Sequence, residues 1–540
     1  MLKSLWPRLR RLLGGTAPEP EAAPHPQREA VDRMLAALSP APGPAFEGPV
    51  LVDGMWDNPH YWLRYAMLRA GLGLAGSEVG LLGPYRAGLV RRTFEVLGAR
   101  RTVDIGPFLE SESAARRDAR KRLASAREPG DILRWDLAGV PAYDLYDCLL
   151  KRQRHAIVDL RHPRIEDDVT EYLRHLAAMP RLLDAVQPRL IVASHTFSGR
   201  IFPGPLVWLA ARRGIPVVGP YGNYGVLRFF KIQSPSEVPD FFDSPTAQDL
   251  DAVTGAQADA LAAIGRAYLE ARREGRTDDI GSHYANRGDR TLDRARLCAL
   301  FGWDPHRPIV AVYASTWFDA PHCNGMEQFR DFADWMQATL EVARGAVGVN
   351  WLFRGHPCDA WYGGLTLRDL MPPTTESHVR LCPTEWSGAA VQRAVDAVVT
   401  LAGTAAIEYA AAGKAALVGD RGWYHDRGFA HWSRSRADYL RDLAGPWWSD
   451  LDLDAVARRA QMFAGWYFCR PAWHEGFHLE DDSRQDPLYD TIPALLKGHP
   501  HVVQREIAEI REWYDSPSRF YHSFKMRRAE AYALPGALPR

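Results

Sequence analysis

From Pro49 onward, short apolar runs alternate with stretches whose apolar positions repeat at helical spacing. "PVLVDG" reads as a strand ending in a polar turn, and "YWLRYAMLRAGL" as a helix behind it; "EVGLLG" and "RRTVDIG" read as further strands. The clearest unit is "RLIVASH" (189–195), then "PLVWLAARRG" closed by Gly214, then "IPVVG". Strand, helix with a terminal glycine, and strand together predict a right-handed parallel crossover.

A polar stretch from about Ser234 to Asp289, containing the helical "AQADALAAIGRAYLEARREG", is expected to separate two halves. The same grammar then restarts. "RPIVAVYAST", "VNWLF", "HVRLCP" and "KAALVG" read as strands, and "AVDAVVTLAG" as a helix end running into another. "MEQFRDFADWMQATLEVA" places Phe329, Phe332, Met336 and Leu340 on one helical face, and "TAAIEYAAAG" is a short helix. From about Leu451 the pattern is helical, as in "AVARRAQMFAGWYF" and "VVQREIAEIREWY". No short-period repeat occurs; what recurs is a parallel α/β domain. The expected division is 1–47 as a basic helix and flexible leader, 48–290 and 291–450 as the two domains, and 451–540 as helices packing back on the body.

Composition narrows the function classes. The 540 residues are 46% hydrophobic and 24% charged, with Lys plus Arg and Asp plus Glu at 66 each, so no global field favours nucleic acid. Six cysteines (Cys148, Cys298, Cys323, Cys358, Cys382, Cys469) lack CxxC or zinc spacing, which predicts reduced thiols in a cytosol and no structural metal site. No run approaches the ~20 apolar residues of a membrane-spanning helix. "MLKSLWPRLRRLLGG" does set Leu2, Leu5, Trp6, Leu9, Leu12 and Leu13 at helical spacing among Lys3, Arg8, Arg10 and Arg11. Such a stripe suits peripheral contact of residues 1–14 with an anionic membrane, the other reading being a tail or a helix docked on the body. Its arginines interrupt any secretory signal, and "GTAPEPEAAPHPQ" reads as a flexible leader.

In open parallel sheets, ligands sit beyond the carboxyl ends of the strands, so the residues directly after each strand carry the information. In the second half these are "STWFDAPH" (315–322), "RGHP" (354–357), "LAGTAAIE" (401–408) and "GDRGWYHDRG" (419–428). Gly403 lets the backbone approach a ligand, and Thr404 starts a helix whose hydroxyl-capped N-terminus is a phosphate seat or only a cap. Glu408, one turn in, is placed to accept from ribose or sugar hydroxyls. Arg354 and His356 are candidate donors to phosphate oxygens, with Pro357 fixing the turn. Ser315, Thr316 and Tyr424 join this donor set, and Asp319 either touches the donor or serves on the hinge side. Position carries the argument, since the same His-Pro pair recurs in "LRHPRIEDD" (160–168).

Transfer of a group onto a hydroxyl needs a base for the hydroxyl proton. "DGMWDNPHYW" (53–62) gathers Asp57, Asp53 and His60 among Trp56, Tyr61 and Trp62, with Asp57 the first choice and helix capping by Asp53 or Asp57 the other reading. His195, directly after "IVAS", is a further candidate, and "YGNYG" (221–225) reads as a mobile turn over the acceptor.

The series "YASTWFDAPH", "FADWMQATLEVA", "NWLFRGHP", "AVVTLAGTAAIEYAAAGKAALVG" and "WYHDRGF", within about residues 300–445, resembles the C-terminal half of capsule polysaccharide biosynthesis glycosyltransferases. That family includes capsular Kdo transferases and is related to bacterial sialyltransferases. The resemblance implies a GT-B fold, two Rossmann-like domains facing a cleft with C-terminal helices, the nucleotide-sugar donor on the second domain and the acceptor on the first. It implies no metal requirement and no cofactor, the nucleotide-sugar being a substrate. In CMP-sugar-using relatives a His-Pro motif and a Ser or Thr motif hold the donor phosphate, roles that fall on His356, Pro357 and Thr404. The chain departs from the pattern in having Gly403-Thr404 for two adjacent hydroxyl residues and Arg354-Gly355 where many members have Lys. The expectation is a cytoplasmic glycosyltransferase at the inner face of the cytoplasmic membrane, moving Kdo or another acidic sugar from CMP onto a surface polysaccharide, an oligosaccharide or a glycolipid. The alternatives are a UDP-sugar, GDP-sugar or CDP-polyol donor, an epimerase-like enzyme, and a non-catalytic carbohydrate- or nucleotide-binding module.

Overall fold

A computed structural model describes residues 24–99, 101–220, 227–276, 280–357, 366–371, 376–469 and 488–522. The leader through residue 14 and the "YGNYG" turn therefore lie outside the described residues.

The first sheet contains β1 (Val50–Gly54), β2 (Glu78–Leu82), β3 (Arg101–Asp104), β4 (Leu190–Val192), β5 (Val217–Pro220) and β6 (Arg228–Ile232). Their spatial order is β3-β2-β1-β4-β5-β6, parallel up to β5 and antiparallel at β6. The second contains β7 (Ile309–Tyr313), β8 (Asn350–Arg354), β9 (Val379–Leu381), β10 (Ala397–Thr400), β11 (Ala415–Val418) and β12 (His431–Trp432). It is parallel throughout in the order β9-β8-β7-β10-β11-β12. Each sheet thus has the doubly wound order with the first strand at its centre, and the direction of winding reverses between β1 and β4 and between β7 and β10. β1, β2, β8, β10 and β11 are buried along their whole length because helices cover both faces, which is why their middles are apolar on both sides and polar residues fall only toward their ends.

Three elements differ from the sequence expectation. The helix expected from Met326 begins at Phe332, because the Asp331 side chain accepts from the Asp334 amide and fixes the start there; Phe329 stays in the preceding loop, edge-on to Tyr439. The stretch expected to separate the halves instead belongs to the second core. Its helix Gly255–Arg273 packs along the helix Leu453–Phe468, with Leu261 and Ala262 in one cluster with Ile309, Val398 and Phe463. The two helices touch at Gly265 and Gly465, where a Cβ on either would run into the backbone of the other. Finally, the segment read as helical throughout ends in a strand, after the helices Leu488–Gly498 and Pro500–Asp515 that lie on the helix Pro59–Leu72 of the first half. Behind them β13 (Phe520–His522) adds to the first sheet beside β6.

The halves are in contact. The Tyr146 hydroxyl donates to Asp331 across 2.8 Å, and Asp147 accepts from the backbone amides of His322 and Cys323 and lies 2.7 Å from the His322 ring. Among the described residues no helix is long and apolar enough to cross a membrane.

Candidate functional site

On the second half, β7 and β8 run side by side with Tyr313 opposite Arg354, so the residues just beyond them emerge together. Thr316 Oγ1 lies 3.0 Å from Nδ1 of His356, and Pro357 follows in a turn. Ser315 sits beside them, half-buried. On the other side of β7, β10 ends at Thr400, whose hydroxyl accepts from the Gly403 amide at 3.3 Å, while the buried Tyr424 hydroxyl donates to the Gly403 carbonyl at 2.5 Å. The Gly403-Thr404 backbone is therefore held from both sides. Tyr424 is placed in the core, stacked on Phe429, and acts on the loop rather than on a ligand.

Three further expected roles on this side change, and Asp319 takes one of its two. Thr404 precedes the helix Ala405–Ala411, but its backbone is already helical (φ −57°, ψ −18°) and its hydroxyl makes no capping bond. A capping side chain reaches back only from extended backbone. Arg354 is 8% exposed and turns into the core, donating to the Trp386 carbonyl at 2.8 Å and the Ala285 carbonyl at 3.3 Å, with its guanidinium over the Tyr313 ring. It is not a phosphate donor. Glu408 gives Oε1 to the buried Arg272 at 3.1 Å, which ties two helices together instead of facing a sugar. Asp319 takes the hinge-side role, pairing with Lys151 of the first half at 3.2 Å.

On the first half the order of candidates inverts. Asp57 is 2% exposed and accepts two bonds from Arg28 at 2.8 Å each, one from Trp62 Nε1 at 3.0 Å and one from Arg86 at 3.3 Å. Burial pushes its pKa up, but the Arg28 bonds and charge, the indole and Arg86 outweigh it and leave the carboxyl below its ordinary range. A carboxylate so paired has no oxygen for an acceptor proton. Nor does it cap the next helix: Asn58 does, through Oδ1 accepting from the His60 amide at 2.9 Å. His60 is 5% exposed in the first turn of that helix, and burial with Arg64 beside it lowers its pKa to about 3; it is too enclosed to meet an acceptor. Asp53 is fully buried at the end of β1, accepting from the Met55 amide at 2.9 Å and from both the amide (3.0 Å) and the hydroxyl of Ser194.

His195 remains, at the end of β4 and half-buried. Its ring meets Trp56 edge-on, with centroids 5.2 Å apart, and its Nδ1 lies 3.3 Å from Ser194 Oγ. Burial lowers its pKa to about 3, helped by Lys151 and Arg64, so the imidazole is neutral at physiological pH. The Lys151 stem runs against Gly199 while its ammonium reaches Asp319. One side chain therefore links the His195–Gly199 loop of the first half to the Thr316–Asp319 loop of the second. Sequence reading missed Lys151, Ser194 and Arg28. Ser194 could have been found as the residue adjoining a strand-end histidine, whereas nothing local marks the other two.

Two open surface hollows of about 300 and 330 Å³ lie elsewhere, among Glu270, Arg273, Arg290 and Arg393 and among Asp259, Arg266, Asp454 and Arg458; neither includes a strand end.

The strand orders define the class, a two-domain, Rossmann-like α/β protein of GT-B architecture. No protein-family model matches the chain, and no curated protein does. Matching solved structures include the UDP-GlcNAc 2-epimerase from Neisseria meningitidis bound to UDP-GlcNAc, at 10% identity over 84% of this chain and 100% of that one, with a TM-score of 0.21. The glycosyltransferase SnogD from Streptomyces nogalater matches at 14% identity over 84% and 99%, TM-score 0.22. The spinosyn rhamnosyltransferase SpnG matches at 12% identity over 85% and 100%, TM-score 0.22. Superpositions this poor carry no argument, and the fold rests on the topology.

Proposed function

We propose that the protein is a glycosyltransferase that moves a sugar from a nucleotide-sugar, held by the second half, to an acceptor hydroxyl presented by the first. The observation that carries this reading is the Thr316–His356 hydrogen bond at the ends of adjacent strands, with Lys151, beside His195 on the first half, paired to Asp319 a few residues on. The hydroxyl of Thr316 and the imidazole of His356, bonded to each other, leave a donor for the phosphate that gains charge as its bond to the anomeric carbon breaks. His195, beside Trp56, takes the proton of the attacking hydroxyl; burial, Lys151 and Arg64 hold its pKa at about 3 in the free protein, and the negative phosphates of a bound donor are what would raise it toward the range of a base. The resemblance of residues 300–445 supports a CMP-linked acidic sugar such as Kdo as donor and a surface polysaccharide, oligosaccharide or glycolipid as acceptor. Contact of residues 1–14 with the inner face of the cytoplasmic membrane would bring the cleft to a lipid-linked acceptor.

The test is thermal stabilisation by CMP, CDP, UDP and GDP without added metal, on the native protein and on Thr316→Val and His356→Ala. A ligand at a hundred times its Kd stabilises the native state by about 2.7 kcal/mol. A rise in Tm with CMP that both variants lose supports the reading. A rise with UDP or GDP moves the donor, and no rise with any nucleotide refutes the proposal.

A further inference from the structure

We infer that Ser194, held by Asp53, is a positioning residue that fixes the ring tautomer of His195, leaving Nε2 bare to receive the acceptor proton. This rests on His195 being the base of the proposed transfer.

The direction of each hydrogen bond follows from what each atom can do. Oδ1 of Asp53 accepts from the Met55 amide, and Oδ2 accepts from the Ser194 amide; both donors are N–H groups and leave no choice of direction. Ser194 Oγ also lies on Oδ2; burial raises the Asp53 pKa while the Ser194 and Met55 bonds pull it back, and with the carboxyl ionised the hydroxyl is the donor. Its hydroxyl proton is then committed to Asp53, and its lone pairs face Nδ1 of His195 at 3.3 Å. The ring must donate from Nδ1, so Nε2 carries the lone pair.

The two strands make this arrangement durable. β1 and β4 are neighbours, with Val52 opposite Val192, so Asp53 and Ser194 emerge from adjacent central strands at the winding switch of the first sheet. Asp53 is fully buried, and Ser194 is nearly so. The charged groups around the ring are Asp53 through Ser194, Lys151 from the helix Ala142–Gln153 and Arg64 from the helix Pro59–Leu72.

In the transfer step the acceptor oxygen forms its bond to the anomeric carbon while its proton passes to Nε2. The bond from the anomeric carbon to the donor phosphate breaks, and its electron pair leaves on the phosphate oxygen. The imidazolium formed then donates from Nδ1 to Ser194, whose hydroxyl passes the favourable interaction on to the Asp53 carboxylate. Solvent takes the Nε2 proton after the products leave.

The deciding measurement is the pair of ring nitrogen shifts of His195, in protein labelled with 15N-histidine and assigned by comparison with His195→Gln. It needs no substrate. The expected result is a protonated Nδ1 and a bare Nε2 in the native protein, the two shifts converging in Ser194→Ala and separating again in Ser194→Thr. A protonated Nε2 in the native protein, or a tautomer unmoved by Ser194→Ala, overturns the inference. A kinetic arm uses release of CMP from CMP-Kdo, or of whichever nucleotide raises the Tm from its sugar conjugate. Here Ser194→Ala should lower kcat at least tenfold with KM unchanged, and should cost nothing further in a His195→Gln background. If Ser194→Ala keeps full kcat while His195→Gln loses it, the inference falls alone; if His195→Gln keeps full transfer, the base assignment falls and takes the inference with it.

Discussion

Asp57 sits in the stretch where a catalytic base was expected, and the structure makes it an anchor, a difference that a stability experiment resolves. In Asp57→Ala, Arg28 stays buried with the Thr93 hydroxyl at 2.7 Å, the Leu89 carbonyl at 3.4 Å and Asp32 at 3.7 Å as its remaining bonded partners among the described residues. In Arg28→Met, Asp57 keeps Trp62 at 3.0 Å and Arg86 at 3.3 Å but loses two bonds of 2.8 Å. Removing one partner of a buried pair costs about 3–5 kcal/mol, because the other is left charged and short of partners. Asp32, whose pKa burial pushes up to about 6 against the pull of Arg28, is already reluctant to carry charge and replaces Asp57 poorly. Both single variants should therefore lose about 3 kcal/mol or more, and Arg28→Met/Asp57→Leu should lose clearly less than their sum. Urea unfolding followed by circular dichroism reads this from the midpoint and slope. If Asp57→Asn unfolds like the native protein yet loses sugar transfer, the anchor argument is wrong and Asp57 returns as the base.

Other consequences are as direct. Burial pushes the His322 imidazole down, but Asp147 at 2.7 Å, with Asp331 and Asp420 beyond, raises its pKa overall. A raised value contributes stability that is complete below about pH 6.5 and fades as pH climbs through the folded-state value, so the unfolding midpoint should fall on that upward path, and His322→Gln should flatten the profile. Tyr424→Phe removes the bond to the Gly403 carbonyl and should cost about 1 kcal/mol of stability, with weaker nucleotide-induced stabilisation measured in the same melts. Gly265→Ala forces a methyl into the backbone of the helix Leu453–Phe468 and should destabilise by about 1–3 kcal/mol in urea; an unchanged midpoint would mean the helices do not meet there.

Much of the fold was legible because a parallel strand covered on both faces must be apolar along its middle, as Val50–Val52 and Trp351–Phe353 are. Placement of Thr316 and His356 followed from the same fact, since neighbouring parallel strands deliver their next residues to one place. What could not be read was the direction in which a charged side chain turns. Arg354 follows the last apolar residue of its strand just as a ligand-binding residue would, and only the Trp386 and Ala285 carbonyls, far along the chain, draw it inward. Asp57 has the same history with Arg28. The helix Gly255–Arg273 looked like a connector because its exposed end is charged, and its membership of the second core depends on two glycines, Gly265 and Gly465, that let it lie close to a helix far downstream.

The pairing of Phe520 with Phe230 has a consequence for biosynthesis. β6 is an antiparallel edge whose outer partner is among the last described segments to leave the ribosome, so the nascent first half waits with that edge open. The surface of the helix Pro59–Leu72 that later receives the helix Pro500–Asp515 waits with it. Contacts so distant along the chain form slowly, and an unpaired edge can join another chain in the meantime. Chains stalled before Phe520 should accordingly be held by chaperones or aggregate, while those that reach His522 seal the edge themselves.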